Sequence, residues 1–373
     1  MQIDSIEVFH VALPLRQPRS APWGTADTLQ TVLVRMVSGA DVGWGEASPG
    51  NAPVAADEWA AGVFHCVRDW LMPAIVGARI DSSDELQRRL AAFRGNRYAK
   101  AAIDTAWWDL AARQQGKPLH RFLGGDREAV AVGPTFDRMA TIDDLLAAIG
   151  AADAAGYARI GLKFRPGWDI TMLHAVRQEF PVQTIHIDCE GQLQLGQMEM
   201  LCRLDDFMLA MIEQPLPADD LVGHAMVQET LRTALCLDEG VSTVEQAEMA
   251  AELQSCRWMK IEQGRVGGLT PAVAIHNACQ ANSIPCWVGS TPQSGLGARI
   301  DLALAAKANF TYPADYPAYD DSLALDLVEP LLAVVDPSDG KRRVRLWPEP
   351  GLGIEPDAAV LERTCLARAE VRG

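Results

Sequence analysis

The sequence has few basic residues relative to its acids, and it lacks long apolar runs and closely paired cysteines. Lysine and arginine number 33 against 49 aspartates and glutamates, so the formal net charge is −16. This excess of negative charge argues against nucleic acid or an anionic membrane as a partner. The negative charge does not exclude a small anionic substrate, because a bound cation can invert the local field at a site.

No stretch of the sequence is long and apolar enough for a membrane-spanning helix. The first residues also lack the basic region followed by an apolar one that marks a secretory leader. The eight cysteines include no Cys-x-x-Cys pair, and Cys236 and Cys286 lie inside apolar runs, which predicts small reduced core residues. We therefore predict a cytoplasmic protein.

The sequence does contain charged residues at a regular spacing. Asp188, Glu213 and Asp238 each close an apolar run of strand character and stand 25 residues apart, and Lys163 closes a similar run 25 residues before Asp188. That interval is about the length of one strand-loop-helix-loop unit. The period indicates consecutive βα units of a parallel barrel, whose strands all end at the same face.

Three carboxylates brought together repel one another, and a hard divalent cation relieves the repulsion. Ligands that are all oxygen favour magnesium over zinc. Lys163, one strand away, is then placed as a base or as an electrostatic partner. A single acid after a strand is more often a helix N-cap or a loop residue, but three acids in one register reverse that preference.

The rest of the chain divides into three regions. Residues 1–50 contain three β-rich segments that predict an antiparallel meander, and the period then becomes helical up to about residue 123. Strands and helices alternate beyond that point in about eight units, which favours a barrel over an open sheet. The predicted helices between barrel strands are 142–155, 169–179, 244–253 and 271–282.

These regions predict the domain organisation. We expect an α+β capping domain over residues 1–125 and a barrel over 126–320. The final segment, 321–373, is irregular in pattern and is expected to pack back on the cap. The Trp-rich cap suits assembly, so a homo-oligomer is predicted.

Several motifs resemble those of one known family. Ile-Glu-Gln-Pro at 212–215, Leu-Asp-Glu at 237–239 and Gly-Arg-Val-Gly-Gly at 264–268 occur together with Gly-Trp-Gly-Glu at 43–46. The combination resembles the enolase superfamily, in its muconate-lactonizing-enzyme-like subgroup. Within that subgroup the motifs are most similar to those of o-succinylbenzoate synthases and N-acylamino acid racemases.

The resemblance implies an α/β fold, a modified TIM barrel (β/α)7β under an N-terminal α+β capping domain. It implies Mg²⁺, with Mn²⁺ as a substitute, bound by Asp188, Glu213 and Asp238. It also implies that Lys163 removes the proton α to the carboxylate of a small substrate, through an enediolate. The proton is very weakly acidic, so the dianion needs a Lewis acid, and the pKa of the base is expected to be lowered toward neutrality.

The chain departs from the family pattern at two lysine positions. The Lys-x-Lys of the second barrel strand is Gly161-Leu-Lys163 here, and the lysine expected on the sixth strand is replaced by Glu262. Lys260 lies two residues earlier on the same strand face and about 6–7 Å deeper in the barrel. Three roles are open for Glu262: an acid-base group on the second face of the substrate, a fourth carboxylate beside the metal, or a salt bridge to Lys163 or Lys260.

These departures leave three functions open. The leading hypothesis is a lyase of the o-succinylbenzoate synthase type with an altered site, in which Lys163 is the base. The second is an N-acylamino acid racemase or dipeptide epimerase in which Lys260 or Glu262 replaces the missing lysine. The third is a catalytically degenerate barrel that binds metal or a carboxylate ligand without turnover. The presence of all three acids counts against it, because surplus buried carboxylates would destabilise a barrel with no cation.

The remaining candidates concern substrate binding and loop structure. Backbone N–H groups of Gly289, Ser290 and Thr291 follow the seventh strand and suit a substrate carboxylate. Further candidates are Gln293, in the following loop, and Trp23 and Asn51, in two loops of the cap. We interpret His186 as a core residue, and Arg165 and Trp168 as residues that fix a loop.

Overall fold

The N-terminal residues form an antiparallel sheet, as their β-branched and apolar segments predict. The computed structural model describes residues 1–21, 24–54, 56–316, 322–335 and 342–373. The strands of this sheet are β1 (Ser5–Ala21), β2 (Gly24–Ser38), β3 (Asp41–Ala47) and, from the far end of the chain, β15 (Cys365–Arg372), in the order β15-β1-β2-β3. The fourth strand is not predicted from the sequence. Every second side chain of β15 is exposed, which fits an edge strand with one solvated face.

Helices pack against this sheet, and the longest of them approaches it very closely. The helices are α1 (Ala60–Cys66), α2 (Met72–Ile75), α3 (Ser83–Leu90), α4 (Arg97–Gln114) and α5 (Leu119–Phe122), with a π-helical turn, Val67–Leu71, between the first two. The Ala-rich α4 is buried along most of its length. It lies so close to β3 that a Cβ on Gly43 would be 2.4 Å from the carbonyl oxygen of Ala106. Glycine is required there by this close approach. We call β1–β3, β15 and α1–α5 the cap elements.

The middle of the chain forms a second, parallel sheet of seven strands. They are β5 (Thr135–Phe136), β6 (Ile160–Lys163), β7 (Ile185–Asp188), β8 (Ile212–Glu213), β9 (Leu235–Leu237), β10 (Trp258–Ile261) and β11 (Cys286–Val288). Each strand pairs with the next in chain order. Consecutive parallel strands require crossover helices, and this arrangement confirms the alternating pattern read from the sequence.

A helix follows most strands of the parallel sheet. The helices are α6 (Ile142–Ala154), α7 (Ile170–Glu179), α8 (Met198–Leu204), α9 (Leu221–Thr230), α10 (Val244–Glu252), α11 (Gln263–Val266), α12 (Leu269–Ala281) and α13 (Gly295–Ala305). Short 3₁₀ turns, Leu195–Gln197 and Asp205–Phe207, flank α8. The four helices predicted between barrel strands are present as α6, α7, α10 and α12. The sequence analysis did not predict α8, α9, α11 or α13, and the last of these begins with Gly-Leu-Gly.

The parallel sheet is curled, and further strands continue its pairing. A parallel bridge joins Cys286 to Phe310, and β12 (Ala314–Asp315) pairs in parallel with β4 (Ala129–Gly133), which directly precedes β5. Strands β13 (Val334–Val335) and β14 (Arg343–Arg345) extend β4 in the antiparallel sense, and α14 (Ala358–Thr364) leads into β15. Across the described residues, no helix combines the length and apolar character needed to cross a membrane.

Buried carboxylates fasten the cap elements to two helices, α12 and α13, that follow strands of the parallel sheet. Glu46 accepts hydrogen bonds from the backbone N–H groups of Ser294, at 3.0 Å, and Gly297, at 2.8 Å, where α13 begins. Asp104 of α4 accepts hydrogen bonds from the N–H, at 2.9 Å, and the hydroxyl, at 2.5 Å, of Thr270 on α12. Each acid satisfies donors at a helix N-terminus, where negative charge is stabilising.

The substitution Asp104→Asn tests the energetics of one of these fastenings. Burial raises the pKa of Asp104 from 3.8 to about 6, although hydrogen bonds from Thr270 oppose the shift. With a raised folded-state pKa the native protein binds more protons than the unfolded chain between these values, so this group's contribution to stability falls as pH rises. We expect the free energy of unfolding of the native protein, relative to the variant, to fall by roughly 3 kcal/mol between about pH 4 and pH 7. Urea denaturation measures this difference, and a difference independent of pH would contradict the assignment.

Candidate active site

A pocket of about 710 Å³ lies at the carboxyl edge of the parallel sheet, under the cap elements. Its floor is formed by charged residues at or near strand ends, and its wall has an apolar part that comes from the cap and from β5. The floor residues are Lys163, Asp188, Glu213, Asp238, Lys260 and Glu262; the apolar wall includes Leu15, Leu29, Pro49 and Phe136. The pocket therefore offers a charged end and an apolar end to one small molecule.

The three acids at 25-residue spacing come together on this floor. Asp188 stands beside Lys163 in the register of the sheet, and Glu213 stands beside Asp188. Asp238 follows the last residue of β9, the next strand. All three side chains are almost fully buried, with exposed fractions of 3%, 1% and 2%. Such burial requires counter-charges close by.

Lys163 supplies one of these counter-charges. Its Nζ donates hydrogen bonds to Asp188 Oδ2 at 2.6 Å and to Glu190 Oε1 at 2.7 Å. Burial alone would lower the pKa of Lys163, but the charges of Asp188 and Glu190 outweigh burial and raise it. The expectation of a lowered pKa is therefore wrong for this arrangement, because the lysine faces two carboxylates.

Lys260 supplies a second counter-charge and reaches the floor of the pocket. Its Nζ lies 2.8 Å from Glu213 Oε1 and 3.2 Å from Asp238 Oδ2, and Asp315 Oδ2 is 3.9 Å away. Burial acts to lower the pKa of Lys260, but Asp238 and Glu213 outweigh it and the net shift is upward. The lysine that the sequence places deeper in the sheet thus extends to two of the three acids.

Glu262, the departure on the sixth strand, has partners other than the two lysines proposed for it. It accepts a hydrogen bond from the hydroxyl of Tyr98 on α4 at 2.6 Å and pairs with Arg265 at 2.7 Å. Arg265 also bonds to Asp238. Burial would raise the pKa of Asp238, but Arg265 and then Lys260 outweigh it and hold that pKa well below its usual range. Of the three roles open for Glu262, the structure shows an ion pair, but with Arg265.

The predicted substrate-binding residues fall into three groups. Ser290, Thr291 and Gln293 line the pocket, and the Gln293 amide donates to Ser290 Oγ at 3.0 Å and to Asp301 at 2.5 Å. Gly289 lies against the side chain of Lys260. Asn51 bonds to the backbone of Gln30 and Thr28, both at 2.8 Å, and so holds its loop to β2. Trp23 lies outside the described residues.

Three residues given structural roles are placed accordingly. His186 is fully buried against the rings of Trp287 and Tyr312, and burial lowers its pKa. Arg165 and Trp168 exchange backbone hydrogen bonds at 3.1 and 2.8 Å, which closes the loop after β6.

The sequence analysis missed four residues at the site. Glu190 follows Asp188 by two positions, Arg265 lies within the glycine-rich motif, and Asp315 closes the short strand β12. These three carried a local signal, since each sits beside a residue or strand end already considered. Tyr98 carried none, because its partner Glu262 is 164 residues away.

Comparison with known protein families identifies the family of the chain. A family model described as Enolase C-terminal domain-like matches residues 144–360, and one described as Mandelate racemase / muconate lactonizing enzyme, N-terminal domain, matches residues 3–124. The chain belongs to the enolase superfamily. Within the superfamily it is an enzyme of the mandelate racemase and muconate lactonizing type.

Individual relatives within the superfamily span nearly the whole chain. The o-succinylbenzoate synthase of Geobacillus kaustophilus is 36% identical over 364 residues, covering 97% of this chain and 96% of that protein. An N-succinylamino acid racemase of Amycolatopsis sp is 34% identical, covering 99% of both. The crystal structure of an unknown enolase superfamily member from Enterococcus faecalis V583 has a TM-score of 0.92 at 30% identity, covering 99% of both chains.

The arrangement of the three acids can be tested against the magnesium site that the enolase superfamily resemblance implies. Their oxygens are suitable ligands, and they converge. However, Mg²⁺ requires near-octahedral oxygen ligands at 2.0–2.1 Å, whereas Lys260 Nζ lies between Glu213 and Asp238 and Lys163 holds Asp188. Within the described ranges, no group of three or more His, Cys, Asp or Glu residues is arranged to hold a metal ion. As arranged, the acids do not fit the metal.

The substitution Arg265→Gln tests the charge balance of this superfamily site. It leaves Asp238 and Glu262 without their shared guanidinium in a largely buried setting. Removing one partner of a buried pair is strongly destabilising, so we expect the free energy of unfolding to fall by about 3–5 kcal/mol. Chemical denaturation measures the change.

Arg68→Gln is the matched control, since Arg68 forms an exposed ion pair with Asp69 at 2.6 Å. Exposed pairs contribute little to stability. Equal effects of the two substitutions would show that the Arg265 pairs are not needed for balance.

Proposed function

We propose that this enzyme removes the proton α to the carboxylate of a small substrate, through an enediolate, in a lyase reaction of the o-succinylbenzoate synthase type. The observation that carries the proposal is the position of Lys163, at the end of β6, with its Nζ in a pocket that has a charged floor and an apolar wall. The names of the relatives support the same chemistry, because o-succinylbenzoate synthase and N-succinylamino acid racemase both act on carboxylates.

The residues of the chain divide the work of binding and proton transfer. The backbone after β11, at Ser290 and Thr291, and Gln293, held by Asp301, orient the substrate's polar groups. Leu15 and Leu29 of the cap cover its apolar part and exclude water, which strengthens electrostatic interactions in the pocket. Lys163 then takes the α-proton, and the C–H electron pair moves into the carboxylate to form the enediolate.

Lys163 must be neutral before it accepts a proton, and Glu190 provides a route for the proton it releases. Glu190 Oε1 is 2.7 Å from Nζ, and the Glu190 side chain is about a third exposed. The second pair of Glu190, with Arg165 at 2.6 Å, keeps its carboxylate at this position. Proton transfer along this hydrogen bond connects the base to solvent.

The second-face residues favour a lyase over a racemase or epimerase. Racemisation needs an acid-base group on each face of the α-carbon. Glu262 is held by Tyr98 and Arg265, Lys260 is held by Glu213 and Asp238, and both side chains are almost fully buried. The Lys163 side chain, by contrast, is 23% exposed, and its partner Glu190 connects it to solvent. Elimination needs one base only: Lys163 removes the α-proton, the β-hydroxyl leaves as water with a proton from the Lys163 ammonium, and a C=C bond forms.

Other features of the function remain predictions. Mg²⁺, with Mn²⁺ as a substitute, is the cofactor that the family resemblance implies. The acids as arranged in this structure do not fit it, and no step above depends on it. The curled sheet supports a modified (β/α)7β barrel over residues 126–320, with a cap over 1–125 and a segment 321–373 of which β15 joins the cap sheet. A homo-oligomer in the cytoplasm is also predicted.

Hydrogen–deuterium exchange at Cα, followed by NMR in deuterium oxide, tests the proposal. The substrates are the o-succinylbenzoate synthase substrate, N-acylamino acids, dipeptides and sugar acids. We expect exchange or elimination with the native enzyme and a loss of about a hundredfold or more in Lys163→Met, because a general base contributes at least that factor. The control, Lys117→Met, changes an exposed lysine outside the pocket and retains activity.

The stereochemistry of exchange distinguishes the proposed lyase from a racemase or epimerase. With one base, deuterium enters with retention of configuration and no inverted product accumulates. Inverted product would support the racemase or epimerase alternative. Undiminished exchange in Lys163→Met would contradict the role of Lys163, and no turnover of any substrate would favour the degenerate, non-catalytic barrel.

A further inference from the structure

The side chain of Lys260 extends along the inside of the sheet to the point where two of the three acids meet. Its Nζ donates to Glu213 Oε1 at 2.8 Å and lies 3.2 Å from Asp238 Oδ2. Both acids belong to the set that the family resemblance assigns to a divalent metal. We infer that the Lys260 ammonium is a built-in cation that takes the place of this metal between Glu213 and Asp238.

The neighbouring strand is shaped to admit this lysine. A Cβ on Gly289, directly after β11, would be 2.0 Å from Lys260 Cε and 2.9 Å from Cδ. The backbone φ of Gly289 is one that other residues adopt, so the effect of glycine here is to leave space for the Lys260 stem in its observed position. Gly289 therefore helps to determine the path of the Lys260 side chain.

An aromatic ring also contacts Lys260, near its charged end. The Lys260 Nζ lies 5.1 Å from the centroid of the Trp287 ring, within the range of a cation–π interaction. Trp287 is fully buried and pairs with Lys260 in the register of β10 and β11. Glycine and tryptophan together hold the stem and the head of the lysine, so its charge has a fixed position.

A divalent ion and this ammonium cannot occupy the place together. The ion would lie about 2.0–2.1 Å from carboxylate oxygens of the same two acids that Nζ contacts, and two cations so close together repel strongly. Asp238 also bonds to Arg265, and Asp188 bonds to Lys163 at 2.6 Å. Metal binding would therefore require displacement of a buried, paired lysine.

The inferred role follows from the charge of Lys260. An ammonium fixed beside the floor of the pocket supplies positive charge to a developing enediolate without reorganisation. This last step rests on the proposed function, whereas the occupation of the metal position does not. The two are therefore tested by different measurements.

Binding of Mn²⁺ to the whole protein, followed by the loss of the free-ion signal in electron paramagnetic resonance, tests the occupation. The variants are Lys260→Asn and Lys260→Met, and the control is Lys117→Met. We expect the two Lys260 variants to bind one Mn²⁺ per chain at least about tenfold more tightly than the native protein, since no buried pair has to be broken. The control is expected to match the native protein.

Gly289→Ala gives a second, independent test that keeps both lysine and acids. Its methyl group displaces the Lys260 stem, so this variant is also expected to bind Mn²⁺ more tightly than the native protein. Circular dichroism checks that each variant is folded. If the Lys260 variants do not fold, Gly289→Ala alone decides the question.

Equal and tight Mn²⁺ binding by the native protein and the folded variants would overturn the inference. The inference about Lys260 and the proposed function can fail independently. An assay of Cα exchange by the native enzyme in the presence of a chelator distinguishes the two failures. Exchange that persists in the chelator supports the inference. Exchange that occurs only with added metal overturns the inference and leaves Lys163 as the base.

Discussion

The structure depends on the balance of charge at the carboxyl edge of the parallel sheet. Neighbouring strands deliver Asp188, Glu213 and Asp238 to one buried place, where unpaired acids would be strongly destabilising. Cations on flanking segments compensate them: Lys163 before the acids in the sheet, and Lys260 and Arg265 after them. The same charges form the floor of the pocket, so the requirement for stability and the proposed chemistry concern the same atoms.

The cap completes this arrangement because it is fastened to the sheet by further buried carboxylates. Glu46 and Asp104 accept hydrogen bonds at the starts of α13 and α12, so the cap is held over the strand ends. Tyr98 of α4 then reaches Glu262 and fixes a residue of the pocket floor. Apolar residues from β1 and β2 close the opposite side. A substrate would therefore be enclosed between the antiparallel sheet of the cap and the parallel sheet, with its charged group next to the parallel sheet.

Sequence reasoning succeeded where the signal was local and periodic. The 25-residue spacing located Lys163 and the three acids, and apolar runs and the helical period located the strands and several of the larger helices. It failed where partners are distant: Tyr98 and Glu262 are 164 residues apart, and the stem of Lys260 is admitted by Gly289 on another strand. The predicted shift in the pKa of Lys163 has the wrong sign, because the charges of Asp188 and then Glu190 outweigh the burial that would lower it. Strand β15 was not predicted because its charged residues obscure the strand pattern. Helix α13 was not predicted because glycines at its start obscure the helical pattern.

The central claim is that Lys260 carries the positive charge between Glu213 and Asp238. A crystal structure of the native enzyme grown with Mn²⁺, with anomalous diffraction data to locate the ion, tests this most directly. The claim predicts electron density for the Lys260 ammonium between the two carboxylates and no anomalous peak bound by the three acids. An ordered Mn²⁺ coordinated by Asp188, Glu213 and Asp238, with Lys260 turned away, would contradict it.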